Sequence, residues 1–277
     1  MKSISSKNRR FGKLVNPLDY TRKGWMKVVL GLNFFFLYFP IIALIAFSFN
    51  DSKRNIVWRG FTLKYYVKAY NNEALYSAFI NSIIVASIST VVSTLLGTML
   101  GLALYRYRFP GKPAFEGFAH LPIMIPEICM GIALLVFFSL IEMPLSLFTI
   151  TVSHIAFTIP FVAVVIRARM SGFDTSFEEA SYDLGASQWQ TFWNVTFPYL
   201  RPGVVAGALL AFTLSIDDFV ITFFTAGIGS TTLPIKIYSM LRFSVTPEVN
   251  AASTVLIVLT LTLTIIAMTI QARASKR

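Results

Sequence analysis

The sequence predicts an all-α, polytopic membrane protein with six transmembrane helices and a helical hairpin between spans four and five. Composition is the first reason: 55% of the 277 residues are apolar and 13% are charged, whereas a soluble domain carries about 25% charged residues. The mean hydropathy of +0.66 agrees with this. A further reason is a series of apolar segments whose lengths are close to the roughly 20 residues needed to cross a bilayer. These values do not fit a soluble protein.

Six segments meet this length requirement. Four have an uncharged core, the third contains Glu127, and the fifth contains Asp217 and Asp218. The predicted spans cover residues 26–49, 78–105, 118–141, 145–166, 203–226 and 251–271. We expect one six-span domain over 26–277, preceded by a basic segment over 1–25. The first apolar run exceeds the roughly 7–15 residues of a signal-peptide core, so we interpret it as an uncleaved signal anchor.

The distribution of positive charge predicts the orientation. An even number of spans places both termini on one face, and this face carries 17 Lys and Arg residues against seven on the other. By the positive-inside rule both termini are then cytoplasmic. This topology explains most of the net charge of +11 without a nucleic-acid partner. The single cysteine, Cys129, excludes an internal disulfide and a cysteine-based metal cluster.

Small residues in the second span predict close helix packing. Gly97 and Gly101 are four residues apart, and serines and threonines precede them. Because lipid supplies no hydrophobic drive for helix association, such residues let two backbones approach closely.

The polar segment 167–202, between spans four and five, predicts two short helices on the cytoplasmic side. Thr175 with Glu178, and Ser187 with Gln190, have the spacing of capping boxes. Pro198 and Pro202 are expected to end the second helix. Its apolar side needs a surface to cover it: the bundle itself, the membrane interface or another protein. The apolar residues of the two helices are Phe173, Phe177, Ala180, Leu184, Trp189, Phe192 and Trp193.

A DNA-binding helix-turn-helix is the other interpretation of this shape. The second helix has no Arg or Lys between Ser187 and Pro198 to contact phosphates or bases. We therefore expect no nucleic-acid partner.

Acidic residues inside spans predict a polar path. An Asp at a helix centre costs about 2.5–3.5 kcal/mol on the insertion scale, so Asp217 and Asp218 are expected to face the bundle interior or a wet cavity. Phe219 and Phe223 follow and offer ring faces to a cation. Glu127 lies among prolines that predict a bent helix; it either lines the path or pairs with a His or Arg of a neighbouring subunit. Carboxylates and rings suit a cation with apolar stems, such as a polyamine.

Motifs for chemistry are absent from the sequence. It has no G-x-x-x-x-G-K-[ST] loop for ATP, no H-E-x-x-H and no G-x-S-x-G. We expect no catalytic residues, no cofactor and no metal.

The hairpin contains a recognisable motif. Glu179-Ala180-Ser181, three residues, Gly185, nine residues, Val195, one residue and Phe197-Pro198 resemble the E-A-A, x3, G, x9, I, x, L-P motif of ABC-importer permeases. The resemblance implies the type I permease fold, with both ends inside. It also implies that the hairpin, at about 173–197, forms coupling helices that dock on a separate ATP-binding subunit. The implied coupling residues are Glu179, Ala180, Ser181, Gly185, Val195, Phe197 and Pro198.

Further segments narrow the resemblance to the spermidine/putrescine permeases, specifically the C-type membrane subunit. They are Tyr105–Phe109, Ser215–Val220, Leu233–Met240 and Pro247–Ala251. The resemblance implies import of polyamines across a bacterial inner membrane with a second, B-type permease, an ATPase dimer and an extracytoplasmic polyamine-binding protein. The predicted pathway residues are Asp217, Asp218, Phe219, Phe223 and Glu127, from the intramembrane acids and rings, and Glu248, from the last of these segments.

Three other functions remain open from the sequence. The first is a permease for another organic cation or iron. The second is a passive cation channel in which Asp217 and Asp218 form a selectivity ring, and the third is a membrane scaffold without transport. Transport without ATP or partner subunits distinguishes the channel from the importer.

Overall fold

The computed structural model describes residues 24–52, 57–242 and 246–275, with side chains up to 270. The predicted basic segment 1–25 lies almost entirely outside the described residues. The helices are α1 (Gly24–Ser48), α2 (Lys64–Tyr70), α3 (Glu73–Arg106), α4 (Lys112–Met124), α5 (Glu127–Leu140), α6 (Leu147–Met170), α7 (Ser176–Asp183), α8 (Gln188–Thr191), α9 (Phe197–Ile216), α10 (Val220–Thr225), α11 (Leu233–Leu241) and α12 (Pro247–Ser275). The predicted all-α class is confirmed.

Among the described residues, five helical stretches are long and apolar enough to cross a bilayer: α1, α3, α6, α8 continued through α9, and α12. The α4–α5 pair, which bends by 106° at its break, makes a sixth span if the two helices are taken together. The break falls at Ile125 and Pro126, so the bend predicted from the prolines is confirmed. Pro126 disfavours a helical conformation at Ile125, and α5 restarts at Glu127.

Span five differs from the prediction in two ways. The helix ends at Ile216 rather than near 226, and α10 follows after Asp217–Phe219. The prediction that Pro198 and Pro202 end the second hairpin helix is wrong, because the chain stays helical from Gln188 to Ile216. A π-helical turn over Phe192–Thr196 precedes Pro198, and the Phe197 N–H donates to the Phe192 carbonyl. This wider turn accommodates the proline without ending the helix.

The core lies where α3, α6 and α9 pack together, and the small residues of α3 face it. A Cβ on Gly97 would lie 2.6 Å from the Val162 Cβ and 2.8 Å from the Ile159 carbonyl oxygen. A Cβ on Gly101 would lie 2.7 Å from the Ala163 carbonyl oxygen. The predicted close packing is therefore confirmed, and α6 is the partner helix.

Gly97→Ala is expected to destabilise the purified protein by about 1–3 kcal/mol, because the added methyl group meets backbone and must push two helices apart. Thermal unfolding in detergent measures this effect. Gly31→Ala in α1 is the matched control, since its Cβ meets nothing within 4 Å and alanine favours helix over glycine. Equal melting temperatures for Gly97→Ala and the unchanged protein would contradict the packing assignment.

Candidate functional site: the hairpin and the intramembrane acids

Gly185 sets the turn of the hairpin. Its φ of +85° lies in the left-handed region, which glycine adopts without steric cost. The Gly185 N–H donates to the Tyr182 carbonyl at 2.8 Å, and the Ala186 N–H donates to the Ser181 carbonyl at 3.1 Å. This pair of bonds is a Schellman motif, so the glycine of the E-A-A pattern ends α7 and fixes the angle to α8.

One of the two predicted capping boxes forms. The Ser187 N–H donates to the Gln190 side chain at 2.8 Å, and the Gln190 N–H donates to the Ser187 hydroxyl at 3.3 Å. The box predicted for Thr175 is wrong, because the Thr175 side chain makes no capping bond. Asp174 takes this place and accepts from the Ser176 N–H at 2.9 Å, which lowers the pKa of Asp174. Glu178 is engaged elsewhere.

Ser181 and Thr191 hold the two hairpin helices together. Their hydroxyl oxygens lie 3.0 Å apart, and Thr191 is fully buried. Ser181 replaces the second alanine of the family motif, so this departure contributes a bond within the hairpin. Val195 is half-buried against the core and Phe197 packs on Trp193 with ring centroids 4.8 Å apart.

Much of the apolar side of the hairpin is exposed. Phe173 is buried, with its ring centroid 4.9 Å from that of Tyr199. The remaining apolar residues of α7 point to solvent, and Leu184 is 90% exposed. Trp189 in α8 is 70% exposed. Glu179 and Ala180 are also exposed. An exposed apolar surface of this kind is typical of a protein or membrane contact. Of the apolar hairpin residues, the bundle buries Phe173 and partly covers Val195.

The two aspartates occupy different environments. Asp217 ends α9 and is exposed. Asp218 is buried, and its Oδ2 accepts from the Thr222 N–H at 2.8 Å and from the Thr222 hydroxyl at 2.7 Å. Asp218 therefore holds the first turn of α10 and stabilises the break, whereas Asp217 is presented outward from it.

His154 is a site residue that the sequence did not connect to the acids. Its Nε2 lies 3.2 Å from Asp218 Oδ2 and 2.9 Å from the Thr222 hydroxyl. Its Nδ1 lies 2.6 Å from the Ser215 hydroxyl, which is 3.0 Å from that of Ser89. These side chains bridge α3, α6, α9 and α10. The signal was available, since a buried Asp requires a polar partner and His154 lies within the preceding span.

Aromatic rings gather beside Asp217. The ring centroids of Phe219 and Phe223 are 5.6 Å apart, and those of Phe219 and Tyr238 are 4.8 Å apart. Phe223 and Tyr238 are exposed. The structure thus brings the two predicted phenylalanines together and adds Tyr238 from α11.

The two remaining predicted acids lie in different places. Glu127 is near the break between α9 and α10, whereas Glu248 contacts residues of other helices. Glu127 begins α5 and is exposed. Helix α5 packs on α10, since a Cβ on Gly131 would lie 2.7 Å from the Phe224 ring. Glu248 is buried at the start of α12, 2.8 Å from the Lys68 ammonium, and accepts from the Asn72 amide at 2.8 Å. The hydrogen bond from Lys68 to this carboxylate raises the pKa of Lys68. Glu248 therefore ties α12 to α2 and α3.

The described residues contain no group of three His, Cys, Asp or Glu side chains placed to hold a metal ion. Asp217 and Glu127 are exposed carboxylates, and Phe223 and Tyr238 are exposed rings; carboxylates and ring faces are groups that attract organic cations.

Comparison with known proteins agrees with this arrangement. The chain is 42% identical to the spermidine/putrescine transport system permease protein PotC of Escherichia coli (strain K12) over 244 residues, which is 88% of this chain and 91% of that protein. It is 36% identical to the putrescine transport system permease protein PotI of the same organism, covering 95% and 96% of the two chains.

The fold also matches a solved structure, that of a bacterial alginate ABC transporter in complex with an alginate pentasaccharide-bound periplasmic protein. The TM-score is 0.67 at 17% identity, covering 94% of this chain and 98% of that chain. The family model for the binding-protein-dependent transport system inner membrane component matches residues 93–277. With five or six candidate spans, the motif spacing kept in the hairpin and relatives along nearly its whole length, the chain belongs to this family of transport permeases.

Proposed function

We propose that the chain is a membrane subunit of an ATP-driven importer that moves polyamines into the cytoplasm across a bacterial inner membrane. The observation that carries this proposal is the exposed hairpin with the permease motif in a chain that has no ATP-binding loop of its own. Work from ATP has to enter such a chain from a neighbour, and the hairpin offers an uncovered apolar surface for it.

The partners follow from this arrangement. An ATPase dimer docks on the hairpin from the cytoplasm, where both termini lie. A second, B-type permease completes the path, and an extracytoplasmic polyamine-binding protein delivers the substrate. Closure of the ATPase dimer displaces the hairpin and opens the outer end of the path, so that access alternates between the two sides.

Polyamines fit the side chains near the break after α9. Their ammonium groups require carboxylates, which Asp217 and Glu127 supply, and their methylene stems suit ring faces such as Phe219 and Phe223. The names of the two relatives point to the same substrate class. Asp218 serves the path indirectly, because it fixes the helix break that presents Asp217. Glu248 is assigned to the outer end of the path, where it holds α12 against α2.

Reconstitution tests this proposal. The complete complex is placed in proteoliposomes with ATP enclosed, and uptake of labelled spermidine and putrescine is measured in the presence of the binding protein. We expect uptake that requires both ATP and the binding protein. Equal uptake without ATP would support the passive channel instead, and uptake of ferric iron or another amine that is not inhibited by excess polyamine would support a different cargo.

A further inference from the structure

We propose that Arg106 is a positioning residue for ATP coupling, because it joins the end of span two to the hairpin. The inference rests on the proposed function, since it requires an ATPase that moves the hairpin. In this scheme Arg106 contacts neither the ATPase nor the cargo. Through Arg106, a movement of α7 also moves α3.

Arg106 is the last residue of α3, and three elements meet at its guanidinium. Its Nη2 forms an ion pair with Glu178 Oε1, in the first turn of α7, and lies 3.2 Å from the Thr196 hydroxyl in the π-helical turn. The Thr196 hydroxyl donates to the same Glu178 oxygen. Thr196 is fully buried and the Glu178 side chain is 13% exposed. Partial shielding from water makes this contact stronger than a surface ion pair.

The C-terminal end of α3 is held in place by other contacts. The Lys112 ammonium donates to the carbonyls of Leu104 and Tyr107, at 2.5 and 2.9 Å, and so satisfies groups that the end of α3 leaves free. One turn earlier, Gly101 packs against the backbone of α6. A force on the Arg106 side chain is therefore passed to the helix rather than absorbed by fraying.

The hairpin has a second attachment where the chain leaves α6. Arg169 Nε donates to the Tyr199 carbonyl at 3.0 Å, and the guanidinium carbon lies 3.9 Å from the centroid of the Tyr199 ring. That contact joins spans four and five, which the hairpin already connects through the chain. The Arg106–Glu178 pair adds span two, which is not next to the hairpin in the chain.

Span two leads from this pair to the intramembrane acids. Ser89 lies 17 residues before Arg106 in α3, about 26 Å along the helix axis. It reaches Ser215 and, through Ser215, His154 and Asp218. A movement of α3 is thus delivered beside the helix break that presents Asp217.

Two adjacent glutamates have different surroundings in this arrangement. Glu179, the acid of the family motif, is exposed and available to a docked partner. Glu178 turns to Arg106 and the bundle. These two adjacent glutamates therefore serve the two different neighbours of the hairpin.

The test compares transport with ATP hydrolysis in the reconstituted complex. Arg106→Gln is expected to keep the ATPase rate that the binding protein stimulates, and to lower polyamine molecules imported per ATP by about fivefold or more, the lower end of typical coupling energies. The exchange Arg106→Glu with Glu178→Arg is expected to restore part of this ratio. Arg108→Gln, an exposed arginine two residues away, is the control and should leave the ratio unchanged.

An unchanged ratio in Arg106→Gln would overturn the proposal. So would a parallel loss of transport and ATPase activity that follows the amount of assembled complex. If Arg106→Gln does not assemble, Glu178→Gln provides the same measurement, and failure of both to assemble assigns the pair a purely structural role. Failure of the proposed function is seen separately, as ATP-independent uptake by the unchanged complex.

Discussion

Asp217→Asn is expected to raise the polyamine concentration for half-maximal uptake by about tenfold or more, without changing the amount of assembled complex. Asp217 is exposed at the end of α9, and a hydrogen bond to a charged group contributes about 1.5–3 kcal/mol. Uptake into proteoliposomes at a series of spermidine concentrations measures the change. Asp51→Asn, an exposed carboxyl outside the spans, is the control and should behave like the unchanged protein.

Asp218→Asn is expected to act on stability instead. Asp218 is buried beside His154 and holds the first turn of α10, and leaving buried hydrogen-bond donors without their acceptor costs about 1–3 kcal/mol. Less complex should be recovered and its melting temperature should fall, whereas the complexes that remain should bind polyamine normally. If the two variants showed the same affinity loss and the same stability, the division between the two aspartates would be wrong.

Trp189→Ala is expected to weaken binding of the ATPase subunit about 30-fold or more. Trp189 is 70% exposed and stacks beside Phe192 and Trp193, and tryptophans at the centre of an interface contribute about 2 kcal/mol or more. Titration of the purified ATPase against the permease in detergent or nanodiscs measures the affinity. Polyamine uptake should decrease in proportion to the fraction of hairpins that have the ATPase bound.

A second tryptophan provides the matched control for this experiment. Trp25 in α1 is 64% exposed, so Trp25→Ala removes a side chain of the same kind from a helix outside the hairpin. It should leave ATPase affinity unchanged. Equal losses for the two variants, or none for either, would mean that the ATPase does not bind this face of the hairpin.

The sequence predicted the apolar spans and the position of the hairpin because both depend on composition and local spacing. The described residues contain five such spans, or six if α4 and α5 are taken together. Hydropathy identifies lipid-facing segments without knowledge of tertiary contacts. The bend at Pro126 was also predictable, since proline acts on its immediate neighbours. The Schellman turn at Gly185 and the Ser187 box agree with their local signals.

The differences from prediction arise where tertiary contacts decide. Glu178 has the spacing of a capping box with Thr175, but Arg106, 72 residues away, takes it. The helix continues through Pro198 because a π-helical turn precedes it. Span five ends at Ile216 because Asp218 caps a new helix and pairs with His154. Arg106 and His154 are distant in sequence from the acids that they contact, so neither propensity nor periodicity identifies them. The π-helical turn is local, but the apolar periodicity of the second hairpin helix does not reveal it.

Cross-linking at Leu184 tests most directly whether the hairpin receives the ATPase. In a Cys129→Ser background, Leu184→Cys and Phe148→Cys place single thiols at residues that are 90% and 62% exposed, at the hairpin and at the opposite end of α6. Docking of the ATPase on the hairpin predicts that Leu184→Cys cross-links to the ATPase subunit in the assembled, transporting complex and that Phe148→Cys does not. An active complex in which Leu184→Cys forms no such cross-link, or is labelled from outside intact cells by a membrane-impermeant thiol reagent, would contradict it.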